Sequence, residues 1–176
     1  MATDNQDRAP AQGKRRRRGA VSSAEMAARR HQGRMLALQT LYEIDLTGHQ
    51  PEEVMERAFE AHDPVTDDVI AQVEQLVSGV LARRDEIDPI IASAAPARAL
   101  SEQAAIERNV LRLATFELAN PQGAPTKVVI NEAVELAKNF GGENSGKFVN
   151  GVLRTISEQR PSLSAIETGD ESRVVE

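Results

Sequence analysis

Residues 126–142 read TKVVINEAVELAKNFGG, and this stretch decides between a helical and a mixed fold. Residues 128–130 are β-branched, which on its own favours a strand. The apolar positions nevertheless continue from Ala133 to Ala137 at helical spacing, and Gly141-Gly142 is typical of a helix end. The stretch therefore predicts a helix over residues 126–139.

The same spacing recurs towards the amino terminus. Ser22 and Glu25 have the spacing of a capping box, and they predict a first helix that ends at Thr47-Gly48. Pro51 suits the first turn of a short second helix. The acidic pair Asp67-Asp68 opens a third helix. Its apolar stripe consists of Val69, Val73, Leu76, Val77 and Val80. Because no strand hairpin is evident, the pattern predicts an all-α fold.

Towards the carboxyl terminus the predicted boundaries depend on single residues. Asp88-Pro89 disfavours an uninterrupted helix, so we expect a separate or kinked turn of helix over residues 87–94. We expect Ser101 to cap the next helix, which ends before Asn120-Pro121, and Ser145 to cap the last one. The folded domain then spans residues 22–160, between a disordered basic arm at 1–21 and a flexible tail at 161–176.

Charge is divided unevenly along the chain. The net charge is −6, yet residues 1–34 contain nine Lys or Arg and only three Asp or Glu. A basic arm on an acidic body is a common way of binding a polyanion locally. The chain has no cysteine, and no apolar run is long enough to cross a bilayer. We expect a cytoplasmic protein with no membrane partner.

Two groups of arginines are candidates for contact with that polyanion. Arg30 and Arg34 are four residues apart and share a helix face, with Arg29 beside them. Clustered like charge on one helix is unfavourable, so an anionic partner gives it a reason. The second group either contacts nucleic acid or is only a solubilising tail. It consists of Arg15, Arg16, Arg17 and Arg18.

One catalytic motif is matched in part. Gly141 to Lys147 fit the G-x-x-x-x-G-K pattern of a phosphate-binding loop, but Phe148 stands where Mg²⁺ binding needs a Ser or Thr hydroxyl. The segment also follows a predicted helix, whereas such a loop follows a parallel strand. The three histidines lack the spacing of helical metal ligands. We therefore expect a protein that is not an enzyme and has no cofactor or metal, with nucleotide hydrolysis as an alternative.

Three segments resemble the NusB transcription antitermination family. The first is residues 30–42, RHQGRMLALQTLY, and the second is residues 107–118, ERNVLRLATFEL. The third runs from KVVINEAVELAK, which begins at Lys127, to KFVNGVL, which ends at Leu153. The resemblance covers roughly residues 26–158, in the family's order and with natural loop lengths.

This resemblance implies a fold of two packed three-helix bundles. It also implies a protein that joins ribosomal protein NusE to bind boxA-type single-stranded RNA. The complex would act on elongating RNA polymerase beside NusA and NusG, as required for ribosomal RNA transcription. A homodimer is left open.

The resemblance also implies roles for individual residues. Positions in or near the RNA surface are Arg29, Arg30, Arg34, Lys138, Asn144, Lys147 and Phe148. Positions near the NusE interface are Tyr42, Glu102 and Glu107. Tyr42 and Phe148 have a simpler alternative as core residues, and Arg112 as the partner of an internal acid. Asn150 and Gly151 are expected to serve helix packing.

The chain departs from the family pattern at three places. His31-Gln32 interrupts the basic run of the first helix, Ser101 replaces a common acid, and Asn144 stands where an acid is frequent. Two other functions stay open. One is the NusB-like RNA-binding domain of some RNA cytosine methyltransferases, which would continue into a catalytic domain. The other is a protein-only adaptor, which would not bind RNA.

Overall fold

The computed structural model describes residues 21–159 and residue 161. These residues form seven α-helices and a short 3-10 turn at Leu100–Glu102, and they contain no strand. The helices are α1 Ser23–Thr47, α2 Pro51–Ala61, α3 Asp67–Ala82, α4 Arg84–Ala94, α5 Ala105–Leu118, α6 Thr126–Phe140 and α7 Ser145–Gln159. The prediction of an all-α fold is confirmed.

Local sequence sets both ends of α1. The Ser22 hydroxyl oxygen accepts a hydrogen bond from the Glu25 backbone N–H at 3.1 Å, a cap that stabilises a helix by about 1 kcal/mol. At the other end, Gly48 has a left-handed φ of 70° and donates its N–H to the carbonyl oxygen of Ile44. Glycine adopts this conformation without strain. Both predicted boundaries of the first helix are confirmed.

The helices pack as two bundles that share one core. Helices α1, α2 and α3 contact one another, and α5, α6 and α7 form the second bundle. Helix α4 packs against α5 and α7, while α5 also contacts α1 and α3 and so joins the two bundles. The shared core contains the whole predicted stripe of α3 together with apolar residues of α1, α4, α5, α6 and α7. The predicted pair of three-helix bundles therefore gains α4 as a further helix.

A buried ionic cluster links α1 to the second bundle. The carboxylate of Asp45 on α1 accepts hydrogen bonds from Arg108 at 2.6 Å, Asn109 at 3.0 Å and Arg112 at 3.1 Å, all on α5. Arg112 also donates to Asp88 on α4 at 2.7 and 2.9 Å. Burial alone would raise the pKa of Asp45, but the hydrogen bonds and charges of its partners hold that pKa below its ordinary value. The expected internal acid partner of Arg112 is confirmed.

The separate helix expected over residues 87–94 is present and ends at Ala94, but the prediction that it is interrupted at Asp88-Pro89 is wrong, because it begins at Arg84. Helix α4 runs from Arg84 through Pro89, and the break between α3 and α4 lies at Arg83. Proline lacks the N–H that would bond to the carbonyl of Asp85, which is costly inside a helix. Ile87 and Ile91 on either side of it are both fully buried. Their burial offsets the lost hydrogen bond, so the helix continues.

The predicted cap at Ser101 is also wrong. Ser101 is exposed in the 3-10 turn, and α5 begins only at Ala105, after Ala104. The Arg108 guanidinium donates to the carbonyl oxygens of Leu100 and Gln103, both at 3.1 Å. These bonds hold the turn against α5 as a separate element, and the serine hydroxyl is therefore too early in the chain to cap the helix.

Candidate nucleic-acid interface

The three arginines at the start of α1 lie in three different environments. Arg29 donates to Glu25 at 2.7 Å and to Asp68 at 3.3 Å, and these contacts raise its pKa. Arg30 is exposed, makes no ion pair within the described part of the chain, and borders an open groove of about 490 Å³. Arg34 is only 4% exposed. The three side chains therefore do not form one cationic patch.

Arg34 corrects the prediction that it shares a surface with Arg30. Its guanidinium donates to the Glu117 carboxylate on α5 at 2.8 to 3.1 Å and lies 3.8 Å from Glu132 on α6. Burial lowers the pKa of Arg34, but these acids more than offset that effect and leave the pKa raised. The helix face that carries Arg34 continues into the buried residues Leu38 and Leu41. Arg34 therefore fastens α1 to the second bundle.

A second set of predicted residues does come together, where α6 ends and α7 begins. We call Lys138, Asn144, Lys147 and Phe148 the α6–α7 corner. The two lysines and Asn144 are exposed, and Phe148 is half-buried. The Lys138 side chain lies along Gly146, whose added Cβ would meet its Cγ at 2.8 Å. Lys138 pairs with Glu135 at 3.0 Å, but both groups are exposed, so the pair contributes little and leaves the lysine available to another anion.

The loop between α6 and α7 is held by the first residue of α7. The Ser145 hydroxyl accepts a hydrogen bond from the Gly142 N–H at 2.9 Å and donates one to Glu107 at 2.8 Å. Ser145 is buried and is itself the first residue of α7, so it links helices and does not cap α7 as predicted. The loop follows helix α6, as predicted, so it lacks the strand that a phosphate-binding loop requires.

Glu107 is not at the surface where the resemblance places a NusE contact. It is 6% exposed, and its second carboxylate oxygen accepts a hydrogen bond from Arg98 at 2.9 Å. The reason is its position on α5, where Val110 and Ala114 follow at helical spacing on the same buried face. The prediction for Glu107 needs correction, because the side chain is enclosed by this chain's own helices.

Arg98 is a candidate site residue that the sequence interpretation missed. Its guanidinium carbon lies 4.3 Å from the centroid of the Phe148 ring. Arg98 lies outside the helices, in the segment between α4 and the 3-10 turn, so no periodic pattern marks it. Its partners are nine and fifty positions further along the sequence. Only the fold brings these groups together.

The prediction that Gly151 serves helix packing is wrong, because Gly151 lines a groove beside the α6–α7 corner. This groove has a volume of about 370 Å³ and lies between α7 and residues 94–98. Gly151 is exposed in its wall, and a Cβ added there would meet nothing within 4 Å. Gly151 therefore does not serve close helix packing in this chain, whereas Asn150 is partly buried.

The remaining predicted residues are placed as follows. Tyr42 is half-buried on α1, and Glu102 is exposed in the 3-10 turn, where its carboxylate accepts the Ala99 N–H at 3.2 Å. The four arginines at 15–18 lie outside the described residues. Within the described ranges no group of three or more His, Cys, Asp or Glu side chains is arranged to hold a metal ion. None of the described helices is long and apolar enough to cross a membrane.

The fold and the corner define a class: an all-helical protein with an exposed lysine and an aromatic ring beside a groove. Residues 31–158 match the NusB family, and the chain belongs to that family. The transcription antitermination protein NusB of Dehalococcoides mccartyi strain CBDB1 is 42% identical over 133 residues, which are 76% of this chain and 92% of that protein. The expected antitermination class is thereby confirmed, and the chain is not an enzyme.

Solved structures agree with this placement. T. maritima NusB superimposes with a TM-score of 0.69 at 30% identity, over 74% of this chain and 91% of that one. A crystal structure of antitermination factors NusB and NusE in complex with dsRNA gives a TM-score of 0.70 at 31% identity, over 75% of this chain and 98% of that one. The two-bundle arrangement is therefore the fold of the family.

Proposed function

We propose that this protein binds boxA-type single-stranded RNA together with ribosomal protein NusE. The complex acts on elongating RNA polymerase with NusA and NusG and supports transcription of ribosomal RNA. A structural relative in which NusB and NusE are in complex with dsRNA supports NusE and RNA as partners, and the choice of a boxA-type single strand rests on the family resemblance. The antitermination relatives support the transcriptional role.

The observation that carries the proposal is the α6–α7 corner. Lys138 and Lys147 are exposed, Lys138 lies along Gly146 at the start of α7, and Lys147 shares a groove with the half-buried Phe148. Phosphate contacts from such groups supply most of the affinity for a nucleic acid, and aromatic or guanidinium planes hold unpaired bases. Asn144 in the same loop adds no negative charge that would repel the phosphates.

Two further groups extend the proposed RNA surface. Arg30 is exposed and borders a groove lined by amide side chains, among them Gln72, Asn120 and Gln122, which can donate to bases and phosphates. Arg29 is partly exposed and engaged with acids, so we assign it a weaker contribution. The arginines at 15–18 stay assigned to RNA on charge alone. Arg34 is not included, because its guanidinium is buried against Glu117.

For NusE we retain Tyr42 and Glu102. Tyr42 combines a half-buried ring with a hydroxyl group, which suits a protein interface. Glu102 is an exposed acid that suits a basic partner protein. We expect Tyr42→Ala and Glu102→Gln to weaken co-purification of NusE while the helical content measured by circular dichroism is unchanged. Full NusE binding by both variants would contradict this assignment.

The RNA proposal is tested by filter binding of a boxA-type single-stranded RNA to the NusE complex across a salt series. Lys147→Ala should weaken binding several-fold at low salt. It should also reduce the slope of log affinity against log salt by about 0.7, the value for one phosphate contact on single strands. The matched control is Lys127→Ala, an exposed lysine in the first turn of α6 and about 16 Å along that helix from Lys138. Equal losses in both variants would contradict a specific corner.

A further inference from the structure

The Phe148 ring is not an open stacking surface in this structure, because Arg98 covers it. The guanidinium carbon of Arg98 lies 4.3 Å from the ring centroid, well within the range of a cation–π contact. A base that approached this part of the corner would meet the guanidinium plane before it met the ring. The predicted role of Phe148 as a direct base contact is therefore indirect in this arrangement.

Besides the Phe148 ring, the Glu107 carboxylate also holds the Arg98 guanidinium in place. One of its carboxylate oxygens accepts from Arg98 at 2.9 Å, while the other accepts from the Ser145 hydroxyl at 2.8 Å. Because Glu107 is buried, its carboxylate is held in one position by its protein partners. Arg98 itself retains 44% exposure of its side chain. The Arg98 guanidinium is thus held by the Phe148 ring and the Glu107 carboxylate, and much of the Arg98 side chain remains exposed to solvent.

The open part of Arg98 faces a groove that suits a flat ligand. Residues 94–97 form one wall, where three alanines and Pro96 supply apolar surface. The opposite wall on α7 includes Gly151, where no side chain narrows the space, and Lys147 lies at the same groove. The groove therefore combines apolar walls, a cationic plane and a second cation, which match a base and its phosphate.

We infer that the Arg98 guanidinium is the stacking surface for one unpaired RNA base, with the adjoining phosphate at Lys147. Glu107 is then a positioning residue for RNA binding, acting through Arg98 and through the Ser145 link to the α6–α7 loop. This inference rests on the RNA-binding function proposed above, and it adds the residue that holds the base. Arginine is suited to this role because its planar group stacks, whereas a lysine ammonium does not.

The test uses Arg98→Lys, which keeps the positive charge and loses the plane. The probe is a boxA-type single-stranded RNA, together with a set in which one nucleotide at a time is abasic, with NusE at saturating concentration. We expect Arg98→Lys to weaken binding of the intact RNA about tenfold, with an unchanged salt slope. At one position, an abasic nucleotide should weaken RNA binding by the unaltered protein by a similar factor. The same abasic RNA should bind the Arg98→Lys protein about as well as the intact RNA does.

Two further variants separate positioning from general stability. Glu107→Gln keeps a group that accepts from Ser145 but removes the ion pair with Arg98, so we expect a several-fold loss of RNA affinity. The abasic position that weakens binding by the unaltered protein should then have little effect on this variant. The control Glu158→Gln removes an exposed carboxylate near the end of α7, outside both proposed interfaces, and should leave RNA binding unchanged. Wild-type affinity in Arg98→Lys, or losses that simply add at every abasic position, would overturn the inference. Failure of the unaltered protein to bind any of these RNAs would overturn the proposed function as well.

Discussion

Arg30 and Arg34 lie one turn apart on α1, yet one is exposed and the other is almost fully buried. Their spacing in the sequence predicts that they share a helix face, but it does not predict which residues pack against that face. Glu117 and Glu132 approach Arg34 from α5 and α6, while the Arg30 side chain extends beside an open groove. The comparison shows that acids on distant helices decide which arginines hold the fold and which remain available for a ligand.

The same division applies to the rest of the described chain. Arg108 and Arg112 reach Asp45 within the junction of the bundles, and Lys138 and Lys147 lie exposed at the α6–α7 corner. Substitutions in the first group should change the free energy of unfolding. Substitutions in the second group should change RNA affinity and its dependence on salt.

The largest effect is expected from Arg112→Ala. This change removes the more deeply buried of the two α5 arginines that bind Asp45 and both of the hydrogen bonds from Arg112 to Asp88, and the removal of one partner from a buried ion pair typically costs about 3–5 kcal/mol. Urea denaturation followed by circular dichroism measures it. A loss below about 1 kcal/mol would show that the cluster is solvated and would break the proposed division.

A somewhat smaller effect separates the two α1 arginines. Arg34→Ala should lower the free energy of unfolding by about 2–3 kcal/mol, because it removes charged hydrogen bonds to Glu117. Arg30→Ala should change stability by no more than about 0.5 kcal/mol and should weaken RNA binding several-fold. The two variants are compared by thermal unfolding and by filter binding. Equal stability losses would contradict the comparison.

Acid should weaken the junction of the bundles in a way that depends on Asp45. Its pKa in the folded protein is lowered, so its contribution is present above the unfolded value of about 3.9 and is lost as pH falls through the folded value. We expect the free energy of unfolding to fall less steeply below about pH 4 in Asp45→Asn. The comparison variant is Asp68→Asn: this acid also has a lowered pKa, but it is exposed and pairs with Arg29 at the surface, so the acid slope should change less than in Asp45→Asn. Identical acid slopes in the unaltered protein and Asp45→Asn would contradict this role.

The smallest expected effect is that of Asn144→Asp at the exposed corner. The new charge stands near Lys147 and near the proposed phosphates, so RNA affinity should fall several-fold at low salt. Salt screens exposed charges, so the difference should close as salt rises. Stability should be equal or slightly higher, because an acid near the start of α7 favours the helix dipole. Equal affinities at low salt would place Asn144 away from the RNA.

Much of the fold is accessible from sequence because its signals are local. The Ser22 cap, the glycine at residue 48 and the valine stripe of α3 each act within a few residues, and each prediction is confirmed. Pro89 and Ser101 mislead for the opposite reason. Burial of Ile87 and Ile91 outweighs the loss of a backbone hydrogen bond at Pro89. Hydrogen bonds from Arg108 hold the turn that contains Ser101 beside α5 as an element of its own.

The site is less accessible from sequence than the fold. The α6–α7 corner follows from the resemblance and from short sequence separations, so its members do lie together. Arg34 and Glu107 could not be placed, because their burial depends on partners on other helices. Arg98 carries no pattern at all, and its contact with Phe148 exists only when α7 packs beside the segment that follows α4.

The Asp45 cluster has a consequence for how the chain acquires its structure. During synthesis α1, α2 and α3 leave the ribosome before α5, so Asp45 waits without Arg108 and Arg112 until the later helix emerges. A fragment that ends after α3 would keep that carboxylate without its cations and would leave the apolar face that α5 covers open to water. The two bundles are thus halves of one cooperative unit, and a chain divided between them should recover its structure only when both pieces are present.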